Sequence, residues 1–347
     1  MTQYIKSGSM PWQPNFSLTV EGEDITEIVR ANLINLTLTD YGGSEKKSDQ
    51  ISFAVVSPDM KLPAKGVKIS IGLGFGLELT DKGTYIVDST TSGFSTSSPR
   101  IIEVTARAFS KSNERGHSTL QSQKTRSFSG VTLGDLVNKV ATEHALTPRV
   151  PASLASIQIP HVDQLGESDM NLLTRLADRY SAVSKVSHGY WILTPREGTT
   201  TVNGNELQKL VITPDMVSTA SYHNNSDHPD ASSANSGTNV ISYVDVTDGG
   251  KIKTITVGSG EPVTHNEFPM PSLASAQEVA GSTTTKNKKK LKGMSISLPA
   301  APELMGLTAQ CLIETSGFGS VEDQQWHISK LDMTLAEQGF TFKLELE

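Results

Sequence analysis

Cysteine is nearly absent: Cys311 stands alone in 347 residues. That excludes an internal disulfide framework and any multi-cysteine zinc site. Its neighbours Ala309, Leu312 and Ile313 mark it as a buried, inert thiol. Charge is also sparse, 19% of residues against the roughly 25% usual in globular domains. The 30 basic and 37 acidic residues leave −7, so the chain as a whole is not built to hold nucleic acid electrostatically. No window approaches 18 uncharged apolar residues, and no membrane span is expected. The opening MTQYIKSGSMPWQPNF has no apolar stretch of the secretory type. The expectation is a chain made and kept in a cytoplasm until something larger carries it out.

Serine and threonine are abundant, 41 and 35 residues. A surface rich in Ser and Thr and poor in charge suits strands, which β-branched Thr favours. The length predicts two or three domains. In the first 110 residues, period-2 segments (Phe16–Val20, Leu33–Thr39, Ile51–Val55, Val67–Ile71, Tyr85–Val87, Ile102–Ala106) alternate with Gly, Pro, Asp and Ser turns. They predict an antiparallel sandwich or barrel over 1–111. A small α/β unit is expected over 112–200. Its first helix, capped by Thr132, carries Leu136, Val137, Val140, Ala141 and His144 on one face. Its second starts near Ser168 with a stripe of Leu172, Leu173, Leu176, Ala177 and Tyr180. The segment between them, broken by Pro148, Pro151 and Pro160, is expected to hold only short extended pieces. A hairpin turned at His188-Gly189 completes the unit.

Strands return over 201–268, with a polar loop at Ser221–Gly237 and a hairpin turned at Asp248-Gly249-Gly250. Pro271 opens an expected helical connection over 269–292. Closing strands are expected over 293–347: Met294–Leu298, Ala309–Glu314, Gln325–Leu331 and Phe340–Leu346. The two ends resemble each other. Tyr85 and Val87 match Trp326 and Ile328 at an offset of 241, and Ile102/Val104/Ala106 match Phe342/Leu344/Leu346 at 240. Val67/Ile69/Ile71 are matched to Ala309/Cys311/Ile313 at 242. Both duplication and chance likeness of amphipathic strands account for this.

Motifs that carry chemistry are scarce. Gly72, Gly74 and Gly76 fail as a phosphate loop, because Leu77 occupies the third glycine position and no helix pattern follows. His223, Asp227, His228 and Asp230 are tolerable metal-ligand types, but Asn, Ser, Pro and Gly around them read as a solvated loop. Asp163, Glu167 and Asp169 are placed at a helix start, complementing its dipole. Amide substitution of Glu167 or Asp169 is then expected to change stability by under ~1 kcal/mol. Lys286, Lys288, Lys289, Lys290 and Lys292 read as a solvated helix end. No nucleophile with a local base, P-loop or zinc-protease motif is present, so neither catalysis nor a cofactor nor a metal site is expected.

Asp163–Arg179 (DQLGESDMNLLTRLADR) resembles the signature helix of the phage late control protein D family. Gln325–Lys330 with Gly339–Leu346 resembles that family's closing strands, and Asp24-Ile25-Thr26 followed by Leu36–Asp40 is also similar. The structural signature residues are Glu167, Ser168, Asp169, Leu172, Leu173, Leu176 and Trp326. The resemblance implies a mainly β chain with an α+β insertion: two related β-barrel domains and a small α/β domain. It further implies a baseplate hub of a contractile tail, akin to the hub part of type VI secretion spike proteins. Such a hub is a homotrimeric ring joining a sixfold tail tube to a threefold membrane-piercing spike. The implied partners are further copies of itself, the spike protein, the tube or tube-initiator protein, other baseplate proteins and the tape measure protein. No specific nucleic acid is among them. The implied location is the virion tail baseplate, assembled in the host bacterial cytoplasm. The Ser221–Gly237 loop and the Lys286–Lys292 run are not family hallmarks. The competing reading is a tail-associated protein that binds or hydrolyses peptidoglycan.

Overall fold

The computed structural model describes residues 13–42, 47–57, 61–108, 119–196, 198, 206, 209–224, 237–261, 263–266, 268–277, 279–280 and 292–347. The chain is mainly β. Its first part comprises β1 (Pro14–Val20), β2 (Glu23–Asp24), a short helix α1 (Thr26–Arg30), β3 (Leu33–Tyr41), β4 (Gln50–Val56), β5 (Lys68–Phe75), β6 (Glu78–Ser95) and β7 (Ser98–Arg107). Period-2 alternation places Phe16 and Leu18, Leu36 and Leu38, Ile69 and Ile71, and Tyr85 and Val87 in the core. The glycines of IGLGFGLE serve this sheet. A Cβ on Gly74 would lie 2.0 Å from the Glu78 carbonyl oxygen, and Gly76, at φ +55°, turns β5 into β6.

The α/β unit follows, with β8 (Gln123–Thr132), α2 (Leu133–Glu143), β9 (Thr147–Arg149), α3 (Ala152–Ala155), β10 (Gln158–Ser168), α4 (Asp169–Arg179), β11 (Ala182–Ser187) and β12 (Tyr190–Pro195). Thr132 caps α2 in a capping box with Asp135, and Ser168 caps α4 through the Asn171 amide. The proline-broken segment is not limited to short pieces: Gln158–Ser168 forms an 11-residue strand paired with β8. Pro160 is tolerated because this ribbon has two strands among the described residues, so one side of β10 needs no ladder donor. Asp163 consequently lies on β10, away from the start of α4.

The remaining strands are β13 (Lys209–Ile212), β14 (Thr219–Asn224), β15 (Gly237–Asp245), β16 (Lys251–Ser259), β17 (Val263–His265), β18 (Lys292–Pro299), β19 (Leu312–Thr315), β20 (Gln325–Ala336) and β21 (Gly339–Leu346). Of the strands read over 201–268, only β13 and β14 join the terminal ones. β15–β17 form a separate three-stranded sheet with its own small core of Ile241, Tyr243, Ala276 and Ala280. Residues 273–277 are helical, but Lys292 begins β18 and ends no helix. Lys286–Lys290 and Asp227, His228 and Asp230 lie outside the described residues, while His223 is on β14.

Thirteen strands make one sheet. Its first half runs β3-β4-β7-β6-β5-β1, and its second runs β14-β18-β21-β20-β19-β13, the same order. The correspondence reaches single residues. Val87 faces Ala106 and, across a bulge, Ser89 faces Thr105. Ile328 faces Leu346 and, across an identical bulge, Lys330 faces Glu345. These reproduce the offsets of 241 and 240. The third offset needs correction: Tyr85 faces Ile69 while Trp326 faces Ile313, so Ile69 matches Ile313 and not Cys311. The sixth strands also differ, β1 being antiparallel to β5 and β13 parallel to β19. Neither half closes into a barrel among the described strands, since β1 does not pair with β3 nor β13 with β14. The free edge of β3 is taken by β20 instead, which fuses both halves into one sheet over one core.

The stripe of α4 is fully used. Leu172 and Leu173 are 0% exposed, and with Leu176 they belong to the buried cluster that also holds the apolar face of α2, Trp191 and Leu193. Leu172→Ala or Leu176→Ala is expected to destabilise the protein by ~2–5 kcal/mol in denaturant unfolding.

Candidate functional site

Two groups of buried charges stand out. The first staples the α/β unit. Asp169, with a fully buried side chain, accepts from Lys124 Nζ at 2.6 Å, from Arg126 Nη2 at 2.7 Å and from Gln164 Nε2 at 2.8 Å. Arg126 and Gln164 bond its Oδ1, while Lys124 bonds Oδ2, from which His144 Nε2 also lies 2.7 Å. Glu143, at the end of α2, pairs with the same two cations, 2.8 Å from Lys124 and 2.6 Å from Arg126. The network thus ties β8, the end of α2, β10 and the start of α4 to one carboxylate. Burial works to raise the Asp169 carboxyl, but Lys124, Gln164, His144 and Arg126 outweigh it and hold it below the usual range. Glu143 is lowered in the same way.

The structure brings Glu167, Ser168, Asp169, Leu172, Leu173 and Leu176 together at the head of α4. Trp326 lies apart in the large sheet core, its indole donating to Thr315 Oγ1 at 2.9 Å. The equal treatment of the two head acids needs correction. Glu167 makes a partly exposed pair with Arg175 at 2.8 Å, whereas the Asp169 carboxylate is itself fully buried and neutralises two half-buried cations. Asp169→Asn is expected to cost about 3 kcal/mol at neutral pH, because it leaves cations short of their counter-charge. Glu167→Gln is expected to stay under ~1 kcal/mol, and urea unfolding of the pair compares them.

The second group sits where the β11–β12 hairpin meets the β3–β20 seam, beside a cavity of about 410 Å³. Lys185 bonds Asp40, reaches Asp49 at 2.9 Å and donates to the Tyr41 carbonyl at 3.1 Å. Asp40 also accepts from the Ala309 amide, and Asp49 from the Tyr41 amide, both at 2.9 Å. Lys82 Nζ donates to the Met305 carbonyl at 2.6 Å, and His188 Nε2 lies 2.9 Å from the Lys82 carbonyl. Gln310 donates to the Gly42 carbonyl at 2.9 Å. Both β halves and the α/β unit therefore share one ionic junction. No cluster of metal-ligand type occurs among the described residues.

Burial works to raise the Asp40 carboxyl, but the Lys185 charge and the Ala309 amide hold it low. Asp49 is more enclosed. Burial pushes its carboxyl up to about 6, and the Asp40 charge adds to that rise against the pull of Lys185. A carboxyl raised in the fold binds its proton more tightly than in the unfolded chain. Its contribution therefore falls as pH rises from about 4 through about 6. Asp49→Asn is expected to gain in melting temperature relative to the parent between pH 5 and pH 7.5.

Sequence reading missed Lys124, Arg126, Gln164, Asp40, Asp49 and Lys185 as interacting groups. The available signals were His144 on an otherwise apolar helix face and Lys185 set between Val183 and Val186 in a strand.

No protein-family model matches the chain. It is 29% identical to a probable baseplate hub protein of Escherichia phage 186, covering 96% of this chain and 92% of that protein. It is 27% identical to the probable baseplate hub protein of Escherichia phage P2, covering 96% and 93%. Among solved structures, a tail protein from Neisseria meningitidis MC58 shares the fold with a TM-score of 0.69, at 14% identity, over 96% of both chains. The expected resemblance is therefore found at the level of the whole chain, which is similar over 96% of its length to the probable baseplate hub proteins of Escherichia phages 186 and P2.

Proposed function

We propose that this protein is the baseplate hub of a contractile phage tail or phage-like particle. Three copies form a ring that joins a sixfold tube to a threefold spike, with other baseplate proteins around it. The relatives' names support the hub role. The observation that carries the ring is the repeat within the sheet. A chain holding two copies of one strand path, with the same bulge and register, offers six similar surfaces from three subunits on the tube side. The spike side meets only three true repeats. In this reading the two halves are the two barrel domains, completed where neighbouring subunits meet. The α/β unit, clamped by Lys185 to the seam, stands outside the ring wall.

A peptidoglycan hydrolase of the two-carboxylate type needs one acid held protonated near neutral pH. Asp169 and Glu143 are instead both held low by Lys124 and Arg126. Asp49, the acid that is raised, is bonded to Lys185 beneath a hairpin. The hub reading predicts three copies per tail in mass measurement or micrographs of assembled particles, and six copies would overturn it. It also predicts no clearing zone in a zymogram on cell-wall sacculi.

A further inference from the structure

We propose that the outer edge of β6, from Ser89 to Ser95, docks a second copy of this chain. The partner's β14 lies antiparallel along that edge, in the register that β20 and β3 use within one chain. This rests on the ring reading and names its interface.

The argument is a missing counterpart. Each half contains the same path, and in one direction the contact between halves is already made. Beyond its bulge, β20 leaves β19 and pairs with β3: Leu331 faces Asp40, Met333 faces Leu38 and Leu335 faces Leu36. In the first half, β6 likewise leaves β5 after Ile86 and continues past an identical bulge, paired to β7 on one side. Among the described strands nothing pairs with its other side from Ser89 to Ser95. The counterpart of β3 is β14, which pairs with β18 alone. Among the described strands two equivalent edges are thus without a ladder partner, although the Thr90 hydroxyl donates to the Pro63 carbonyl at 3.1 Å at the start of the first, and the chain contains a worked example of how they fit.

The register follows from the pairings. Leu36 faces Phe53, which faces Val104. Ala220 faces Ile296, which faces Leu344. Since Val104 matches Leu344, Leu36 matches Ala220. Thr90 is thereby placed opposite the partner's Asn224, Ser92 opposite the partner's Tyr222 and Phe94 opposite the partner's Ala220. Burial supports this placement. Leu36 is 0% exposed where β20 covers it, while Phe94, the counterpart of Leu335, is 82% exposed and Ala220 is exposed. Open edges and a protruding aromatic are features that a soluble β protein normally covers. The rest of the contact is polar, as suits subunits that fold before they meet. The two edges belong to different halves, so the contact is heterologous and must close as a ring or run on as a filament.

The test uses full-length protein in assembled tails. Phe94→Cys with Ala220→Cys should oxidise to a covalent trimer on a non-reducing gel, since opposed residues of an antiparallel pair meet disulfide geometry closely enough. Ser92→Cys with Ala220→Cys, two positions out of register, should give little product, and neither single variant should give a trimer. Absence of cross-linked product in tails with normal hub content would overturn the proposal. Hydrogen exchange on the unaltered protein supplies an independent reading. Amides of 89–95 and 219–224 should slow by at least about tenfold on assembly, and unchanged exchange there would also overturn it. Three copies per tail without these signals would remove this interface and leave the hub reading standing. A copy number of six would remove both.

Discussion

The antiparallel ladder between β3 and β20 is the contact on which the rest of the molecule depends. It joins segments near the two ends of the chain, with Lys330 facing Tyr41 and Ala336 facing Asn35. Thr37 and Thr334 meet through their hydroxyls at 3.1 Å, and Thr39 donates to Asp332 at 2.7 Å. On the inner face Leu36, Leu38, Leu331 and Met333 are all buried. Each half alone would leave an open edge over half a core. Together they bury one continuous cluster running from Phe16 to Leu346. Such a sequence-distant ladder makes for high contact order, and slow folding is its ordinary consequence. The α/β unit lies between the two halves in sequence and must leave the seam accessible while they meet.

That unit is held in place by charge as well as by packing. Lys185 reaches from β11 to Asp40 on β3 and to Asp49 just before β4, while Thr194 and Gln310 tie β12 to the second half. Burying three charges is expensive, and an apolar contact of the same size would match the stability. What the ionic junction adds is direction: Lys185 has partners in only one orientation of the hairpin. The Asp169 network does the same inside the unit, where one carboxylate sets the angle between two helices and a two-stranded ribbon. Both groups are positioning devices, which suits a part that must present surfaces at fixed angles.

The internal repeat shows how one strand path serves two ends. The bulges at Asp88 and Ser329 bend both long strands at the same point, where each leaves its first neighbour: β20 passes from β19 to β3, and β6 from β5 to an edge with no partner among the described strands. The halves then diverge where they have different tasks. The outer part of β20 carries Leu331, Met333 and Leu335 into the shared core, whereas β6 carries Thr90, Ser92 and Phe94 at an open edge. The reversed sixth strand and the shorter β19 alter only the far side of the path.

Local pattern determined a good deal of this protein. Alternation placed the core strands, Thr132 and Ser168 announced the helix starts, and His188-Gly189 and Gly249-Gly250 turned their hairpins. These features depend on residues within about ten positions of one another, where propensity and hydrogen-bond valence act directly. The repeat, too, was visible as aromatic matched to aromatic at 241, although a four-residue β19 was too short to fix its own register. Tertiary structure decided the rest. Gln158–Ser168 became a strand because β8 supplied its ladder, and β15–β17 left the main sheet because they had a core of their own. Asp169 looked like any dipole-complementing acid until Lys124, Arg126 and Gln164 arrived from other strands. Asp40, Asp49 and Lys185 are separated by up to 145 residues in sequence, and no local signal links them. Electrostatic partnership is a matter of distance in space, and only the folded sheet brings those charges within reach.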